Sequence, residues 1–391
     1  MAVEAPTKSS PHRKWIVLFA SLLAFITYTF SLQVIPPLMT SIVNEYGVSN
    51  AEAGLLMSFV LIPGIILSIP ISAAMDKYGF NTMGGVALIC VVASAIMTAT
   101  ATSFASLLLA RLILGIGGAL ILIVTPAIIP QWFRREELGK AMGLYTIGMP
   151  LGTIVAFPTA GTLAVTYGWR SAFYVSLAIG VAATIVYILV VRDGPMSSRG
   201  GGFSGLASFR NAELWKIGLV WLLFNGAILS FNTWAPTLMT NYQGFSAVEA
   251  SFYASLLSWI SLFMVPVFGI VSDRLGKRKM FVIVGSILLC LVEVVAAYSS
   301  GFVLVGIIVA VGLASSMMPG NIQTLPTESL GPSKAGIGFA VLAICGNLGI
   351  AATQPLAGMI LDATNSYTLS VLSMAVFAAL CCVSALFVKA K

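Results

Sequence analysis

The sequence predicts an all-α membrane protein with twelve transmembrane helices in two pseudo-symmetric six-helix bundles. Three observations predict it. The first is composition: of 391 residues, 59% are hydrophobic and 8% charged. A soluble domain carries roughly 25% charged residues, so this chain cannot cover a water-facing surface. The second is the succession of long apolar runs. Each crossing needs ~20 apolar residues, and twelve crossings with short loops use the whole chain. The runs lack the two-residue alternation of barrel strands, which leaves helices as the spanning element. The third is an internal repeat. Gly47, Ser49, Glu52 and Ala53 recur as Gly244, Ser246, Glu249 and Ala250. Gly152, Pro158 and Gly161 recur as Gly349, Pro355 and Gly358, and Asp76 as Asp273, all at one offset of 197 residues.

Residues 1–14 are polar and basic and form an N-terminal segment outside the bilayer. The apolar run from Trp15 is too long for a cleaved signal, whose core has ~7–15 residues, so it is span 1, at 15–36. Spans 2 to 6 follow at 51–74, 83–101, 104–127, 139–164 and 171–191, completing a first bundle at 15–192. Span 2 opens on Ser49-x-x-Glu52, a capping box. The segment 193–213 contains Arg199-Gly-Gly-Gly-Phe-Ser-Gly and reads as a flexible linker. Spans 7 to 12 follow at 214–236, 248–271, 280–299, 302–325, 335–361 and 367–388. Span 8 opens on the matching box Ser246-x-x-Glu249. The second bundle is thus 214–388, with a short tail at 389–391.

The net charge is +7, and topology accounts for it. Every Lys and Arg except Arg111 and Arg170 falls on the side that holds both termini. By the positive-inside rule that side is cytoplasmic, which suits a multi-pass protein of the plasma or bacterial inner membrane. Nucleic-acid binding therefore has no support. The five cysteines (Cys90, Cys290, Cys345, Cys381 and Cys382) lie in apolar runs without disulfide or metal-ligand spacing. His12 is the sole histidine, no phosphate loop is present, and no strand precedes any glycine cluster. No enzymatic activity, cofactor or metal is expected, and the chain is expected to be a monomer.

The densest charge cluster is Gly269-Ile-Val-Ser-Asp273-Arg274-Leu-Gly276-Lys277-Arg278-Lys279, between spans 8 and 9. A reduced copy, Ser72 to Asn81 around Asp76, lies between spans 2 and 3. Span 4 carries Arg111-Leu-Ile-Leu-Gly115-Ile-Gly117, span 5 carries Gly148-Met-Pro150-Leu-Gly152, and Gly168-Trp169-Arg170 opens span 6. Together these motifs resemble the major facilitator superfamily over essentially the whole chain. Spans 7, 8 and 11 look most like its organic-anion, cyanate-type and monocarboxylate-type branches. The resemblance implies a secondary active transporter that moves a small polar or anionic organic solute by alternating access, as symporter or exchanger, with a proton or ion as the co-transported partner. A multidrug efflux antiporter is the rival within the class, and a non-transporting membrane sensor the rival outside it. The resemblance also makes Asp76, Asp273, Arg274, Gly276, Lys277 and Arg278 a conformational latch, with Asp273 reaching towards the start of span 11 near Lys334. The first-half copy has Ser72, Phe80 and Asn81 where the pattern wants glycine and basic residues.

Arg111 is the sharpest site candidate. A charge that deep in a span is costly unless it is paired or faces water, so it serves either as an anion-binding or coupling residue or as a structural tie between helices. Glu293, within span 9, is the second coupling candidate. The other candidates are neutral polar or aromatic residues inside spans: Tyr28 and Ser31 on one face of span 1, Tyr145 in span 5, and Asn225 and Asn232 seven apart in span 7. Ser258 and Trp259 in span 8, Asn321 and Gln323 in span 10, and Asn347 and Gln354 in span 11 complete the set. Amides and hydroxyls can hold a polar solute; the alternative for each is polar packing between helices.

Overall fold

A computed structural model describes residues 11–192, 211–330 and 335–388. The first half contains α1 (Pro11–Gln33), α2 (Ile35–Tyr46), α3 (Asn50–Ser58), α4 (Ile62–Ala99), α5 (Phe104–Trp132), α6 (Arg135–Thr146), α7 (Gly148–Tyr167) and α8 (Ser171–Val190). The second contains α9 (Ala212–Gln243), α10 (Ala247–Leu275), α11 (Arg278–Ala297), α12 (Gly301–Ser316), α13 (Pro319–Leu330), α14 (Ala335–Thr364) and α15 (Tyr367–Leu386). No strand occurs among the described residues, and twelve helical stretches among them are long and apolar enough to cross a membrane. Most of the expected linker and both chain ends lie outside the described residues.

The repeat is visible in the turns. Gly47 and Gly244 both close a helix in the left-handed conformation, at φ 61° and 72°. Two residues later Ser49 and Ser246 open the next helix with complete capping boxes. In each box the serine Oγ accepts from the glutamate N–H, and the glutamate carboxylate accepts from the serine N–H at 2.8 Å and 3.0 Å. On the face that holds both chain ends, here the terminal face, Gly79 (φ 76°) and Gly276 (φ 63°) make the sharp turns. A side chain at positive φ is strained, so glycine recurs there; Asp76 and Lys77 recur as Asp273 and Arg274, while the basic run Lys277 to Lys279 does not.

Several helices outrun the apolar spans read from sequence. Span 1 was expected to end at 36, yet α2 continues to Tyr46. Pro36 and Pro37 stand in the first turn of α2, where no N–H is needed. Span 7 was expected to end at 236, yet α9 runs through Pro236 to Gln243. Span 10 is divided into α12 and α13 at Met317 and Met318.

The packing differs between the two faces. One apolar core joins the first half's interior at the face opposite the chain ends, the far face, around Phe30, Leu38 and Phe157, to the second half, where it runs the whole depth from Trp234 and Leu304 to Val282 and Val388. A second core around Leu18, Leu120 and Tyr187 belongs to the first half alone. A small third one, Leu214, Val341 and Cys345, belongs to the second half alone. The halves are therefore joined at the far face, and nearer the terminal face the first half keeps a separate core of its own.

Candidate functional site

A cavity of about 430 Å³ lies between the halves. The first half contributes Gln33 at the end of α1 and Thr146 to Thr153 across α6 and α7. The second contributes Trp221, Asn225 and Asn232 from α9, Ser258 and Ser261 from α10, Ser315 and Ser316 from α12, and Gln323 from α13. A smaller cavity of about 120 Å³ shares Gln33, Met149 and Leu229 with it and adds Tyr28, Asn347 and Gln354. No charged side chain is among the described residues lining either one.

The far face above the cavities is sealed by two equivalent seams. At the first, Gly358 of α14 lies against the Asn50 carbonyl of α3, and a Cβ on Gly54 would stand 2.7 Å from the Gln354 carbonyl oxygen. At the second, Gly161 of α7 lies against Ser251 and the Ala247 carbonyl of α10. These are the same positions shifted by 197 residues, and only glycine lets the backbones come so close. The first seam has an additional device. The Asp362 carboxylate accepts from the Asn50 N–H at 3.0 Å, the Asn50 side-chain amide at 2.7 Å and the Ala51 N–H at 2.8 Å. It therefore satisfies two of the free N–H groups at the start of α3, where the helix dipole also favours an anion. The position equivalent to Asp362 in the first half is Val165, so the second seam has no such cap. Ser58 donates to the Ala351 carbonyl at 2.7 Å, and Thr40 approaches Asn241 at 3.4 Å, adding links between the halves.

The structure places five candidates away from both cavity walls. Arg111 lines neither cavity and is 1% exposed. Its Nη1 donates to the Ser31 carbonyl at 3.1 Å and its Nη2 to Thr98 Oγ1 at 3.2 Å, and the guanidinium sits 5.6 Å from the Phe173 ring centroid. It ties α1, α4, α5 and α8 together inside the first half. Ser31 bonds Ser176 at 2.6 Å and the Thr27 carbonyl at 3.0 Å. Tyr145 bonds Thr125 at 2.7 Å and stacks on Phe25. Asn321 donates to the Met317 carbonyl at 2.8 Å. Trp259 is 40% exposed on the outside of the bundle. The structure brings Asn225, Asn232, Ser258 and Gln323 to the larger cavity and Tyr28, Asn347 and Gln354 to the smaller. Glu293 is wholly buried within the second half, lines neither cavity, and neither of its carboxyl oxygens has a partner.

The family model described as Major Facilitator Superfamily matches residues 18–353, with a second match over 239–391. The chain belongs to the Major Facilitator Superfamily. A nitrite extrusion protein of Bacillus subtilis is 22% identical over 370 residues, 93% of this chain and 91% of that one. A probable nitrate/nitrite transporter of Mycobacterium tuberculosis is 27% identical over 62% of this chain and 63% of that one. Among solved structures, a bacterial homolog of the human lysosomal transporter Spinster, in an inward-facing and occupied conformation, superimposes with a TM-score of 0.82 at 19% identity, covering 97% of both chains. The nucleoside transporter NupG superimposes with a TM-score of 0.81 at 14% identity, covering 96% of this chain and all of that one. Like these, the chain is a transporter and not an enzyme.

Within this superfamily member the charged turn pairs internally and also reaches the end of the last helix, where Lys279 donates to the Leu386 and Val388 carbonyls at 3.0 Å and 2.6 Å. Asp273 accepts from Arg278 Nε at 3.0 Å and Nη2 at 2.8 Å, and both residues lie in the α10–α11 turn. The expected reach of Asp273 to Lys334 cannot be placed, because Lys334 and the Asp76 side chain lie outside the described residues. Arg274 is in the last turn of α10, Gly276 closes that helix and Lys277 precedes α11. The basic exception on the far face, Arg170, is paired with Glu45 at 2.6 Å and also donates to Tyr46 and the Ala101 carbonyl. Gln33 is the residue that sequence reasoning passed over. Helical spacing puts it off the Tyr28–Ser31 face but one turn after Thr29, with which it lines the smaller cavity, and it reaches the wall of the larger one as well. The four-residue spacing from Thr29 was the available signal.

Proposed function

We propose that the chain carries a small polar organic solute across the membrane by alternating access, as a symporter or exchanger, with the solute held in the cavity between the halves. The observation that carries this reading is the cavity itself. It draws amides and hydroxyls from both halves and two aromatic rings from the second, and it lies beneath a far face where the halves share one core. Pockets between repeated halves are where transporters of this kind hold their solutes. In this reading the terminal face, which carries most of the Lys and Arg residues, is cytoplasmic, and the cavity belongs to an inward-facing state. The names of the nitrate and nitrite relatives favour a second reading, an inorganic anion. An anion would have to bind without Lys or Arg in the lining, because Arg111 is occupied elsewhere. Met149 and Met57 on the cavity walls are what favours the efflux reading.

The test is uptake of a panel of labelled polar solutes into proteoliposomes, with Ser258→Trp as the blocked variant. Ser258 lies on the cavity wall, so an indole there fills the space. Uptake by the unaltered chain and its loss in Ser258→Trp are expected. Equal uptake by both would remove the cavity from the path, and binding with no flux would favour a sensor.

A further inference from the structure

We infer that the solute is two-ended. Its polar group sits in the larger cavity, and a compact apolar group, a short alkyl chain or one small ring, sits in the smaller, where Tyr28 limits its size. This rests on the transport reading above and narrows the solute of the same site.

The two cavities are images of each other under the internal repeat. Tyr28, Leu61 and Leu122 of the smaller wall stand 197 residues before Asn225, Ser258 and Pro319 of the larger. Asn347 and Ile350 of the smaller stand 197 residues after Pro150 and Thr153 of the larger. Gln33, Met149 and Leu229 line both. The cavities are therefore two arms of one chamber, the larger set mainly in the second half and the smaller mainly in the first.

Side chains at equivalent positions account for the difference in size. A Cβ on Gly118 would collide with the Tyr28 ring. The missing side chain lets that ring lie on α5 and fill much of the first half's arm. In the second half the same two positions are Ser315 and Asn225. Both fold back onto their own helices, Asn225 donating to the Trp221 carbonyl at 2.7 Å and Ser315 to the Gly312 carbonyl at 3.1 Å. The space that a ring takes on one side stays open on the other, and the arms hold about 120 Å³ and about 430 Å³.

Polarity divides the same way. Leu61 stands on the smaller wall where Ser258 stands on the larger, and Ile350 where Thr153 does. Phe25, Leu32 and Met57 extend the apolar wall of the smaller arm. Its amides are held against protein. Gln354 donates from Nε2 to the Leu229 carbonyl at 3.2 Å, and its Oε1 is buried out of reach. The Asn347 amide nitrogen packs on Gly64, where a Cβ would stand 3.2 Å from it. The larger arm, in contrast, keeps Ser258, Ser261, Gln323 and the Trp221 indole on its wall. A polar group that left water for the smaller arm would lose hydrogen bonds it could not replace, whereas an apolar group gains by the same transfer. An apolar cavity of roughly 150 Å³ takes up one benzene ring, which bounds what the smaller arm accepts.

The experiment is proteoliposome uptake of two labelled homologous series, methyl to butyl glucoside and lactate to 2-hydroxyhexanoate, by the full chain, by Tyr28→Ala and by Ile350→Phe. Protein-free vesicles give the background, and melting temperature in detergent checks that each variant is folded. Within the series that is carried, each methylene entering the smaller arm should tighten the apparent affinity about fourfold, up to the length that fills it. Tyr28→Ala should move that limit to longer chains, and Ile350→Phe should abolish the gain. Affinity independent of chain length overturns the inference and leaves the transport reading standing, as does an unmoved limit in both variants. Uptake of neither series overturns it as well, and the polar panel of the preceding test then decides separately whether the chain transports.

Discussion

Arg111 shows how a single residue divides between two readings. A buried guanidinium in a span invites an anion, but here its hydrogen bonds go to the Ser31 carbonyl and the Thr98 hydroxyl, and its π-contact to Phe173. Arg111→Met keeps the apolar stem and leaves those two groups unpaired, at a cost of about 1–3 kcal/mol. The expected result is a lower melting temperature in detergent, with the affinity for the transported solute unchanged. A variant with normal stability and lost affinity would return Arg111 to the site. The sequence did give the residue type, depth and cost. It could not show that the guanidinium faces α1 and α4 instead of the cavity, because which face of α5 turns inward depends on packing across four helices. Gln33 is the converse case. It lies off the Tyr28–Ser31 face, and which face of α1 turns towards the cavities is decided by packing that apolar periodicity does not register.

Individual elements were more legible. The capping boxes at Ser49 and Ser246 and the glycine turns at 47, 79, 244 and 276 follow from local backbone chemistry, and a local signal survives into the structure. Helix ends beyond the apolar runs were not, since α2 and the end of α9 pass through prolines that read as stops. Nor was the role of Asp362, which the chain places more than 300 residues from the helix it caps. Asp362→Ala removes the acceptor from two α3 N–H groups, worth about 1 kcal/mol or a fivefold shift in an equilibrium. The far seam should open more readily. Thiol labelling at Ser251→Cys, behind the sister seam, should rise severalfold relative to the background chain, and unchanged labelling would show that the cap does not hold the seam. Asp362→Asn, which keeps an acceptor, should lie between the two.

At the scale of the whole molecule the two halves repeat in plan and differ in chemistry. The second half carries the intact charged turn, the Asp362 cap and most of the polar cavity wall, while the first carries the structural Arg111 and contributes Gln33, Tyr28 and the α7 wall. One core joins the halves at the far face and continues through the depth of the second half, while a separate core serves the first half nearer the terminal face. Transport by such a molecule requires the far-face contacts between the halves to part while the interior of each half stays intact. Thr40 and Asn241 meet across that far face, one from each half. The most direct measurement is therefore solute uptake by a Thr40→Cys/Asn241→Cys chain, on a background without the native cysteines, joined by a short cross-linker that dithiothreitol cleaves. Alternating access predicts that uptake falls to background when the link is made and returns when it is cut. Undiminished uptake by the cross-linked protein would contradict it.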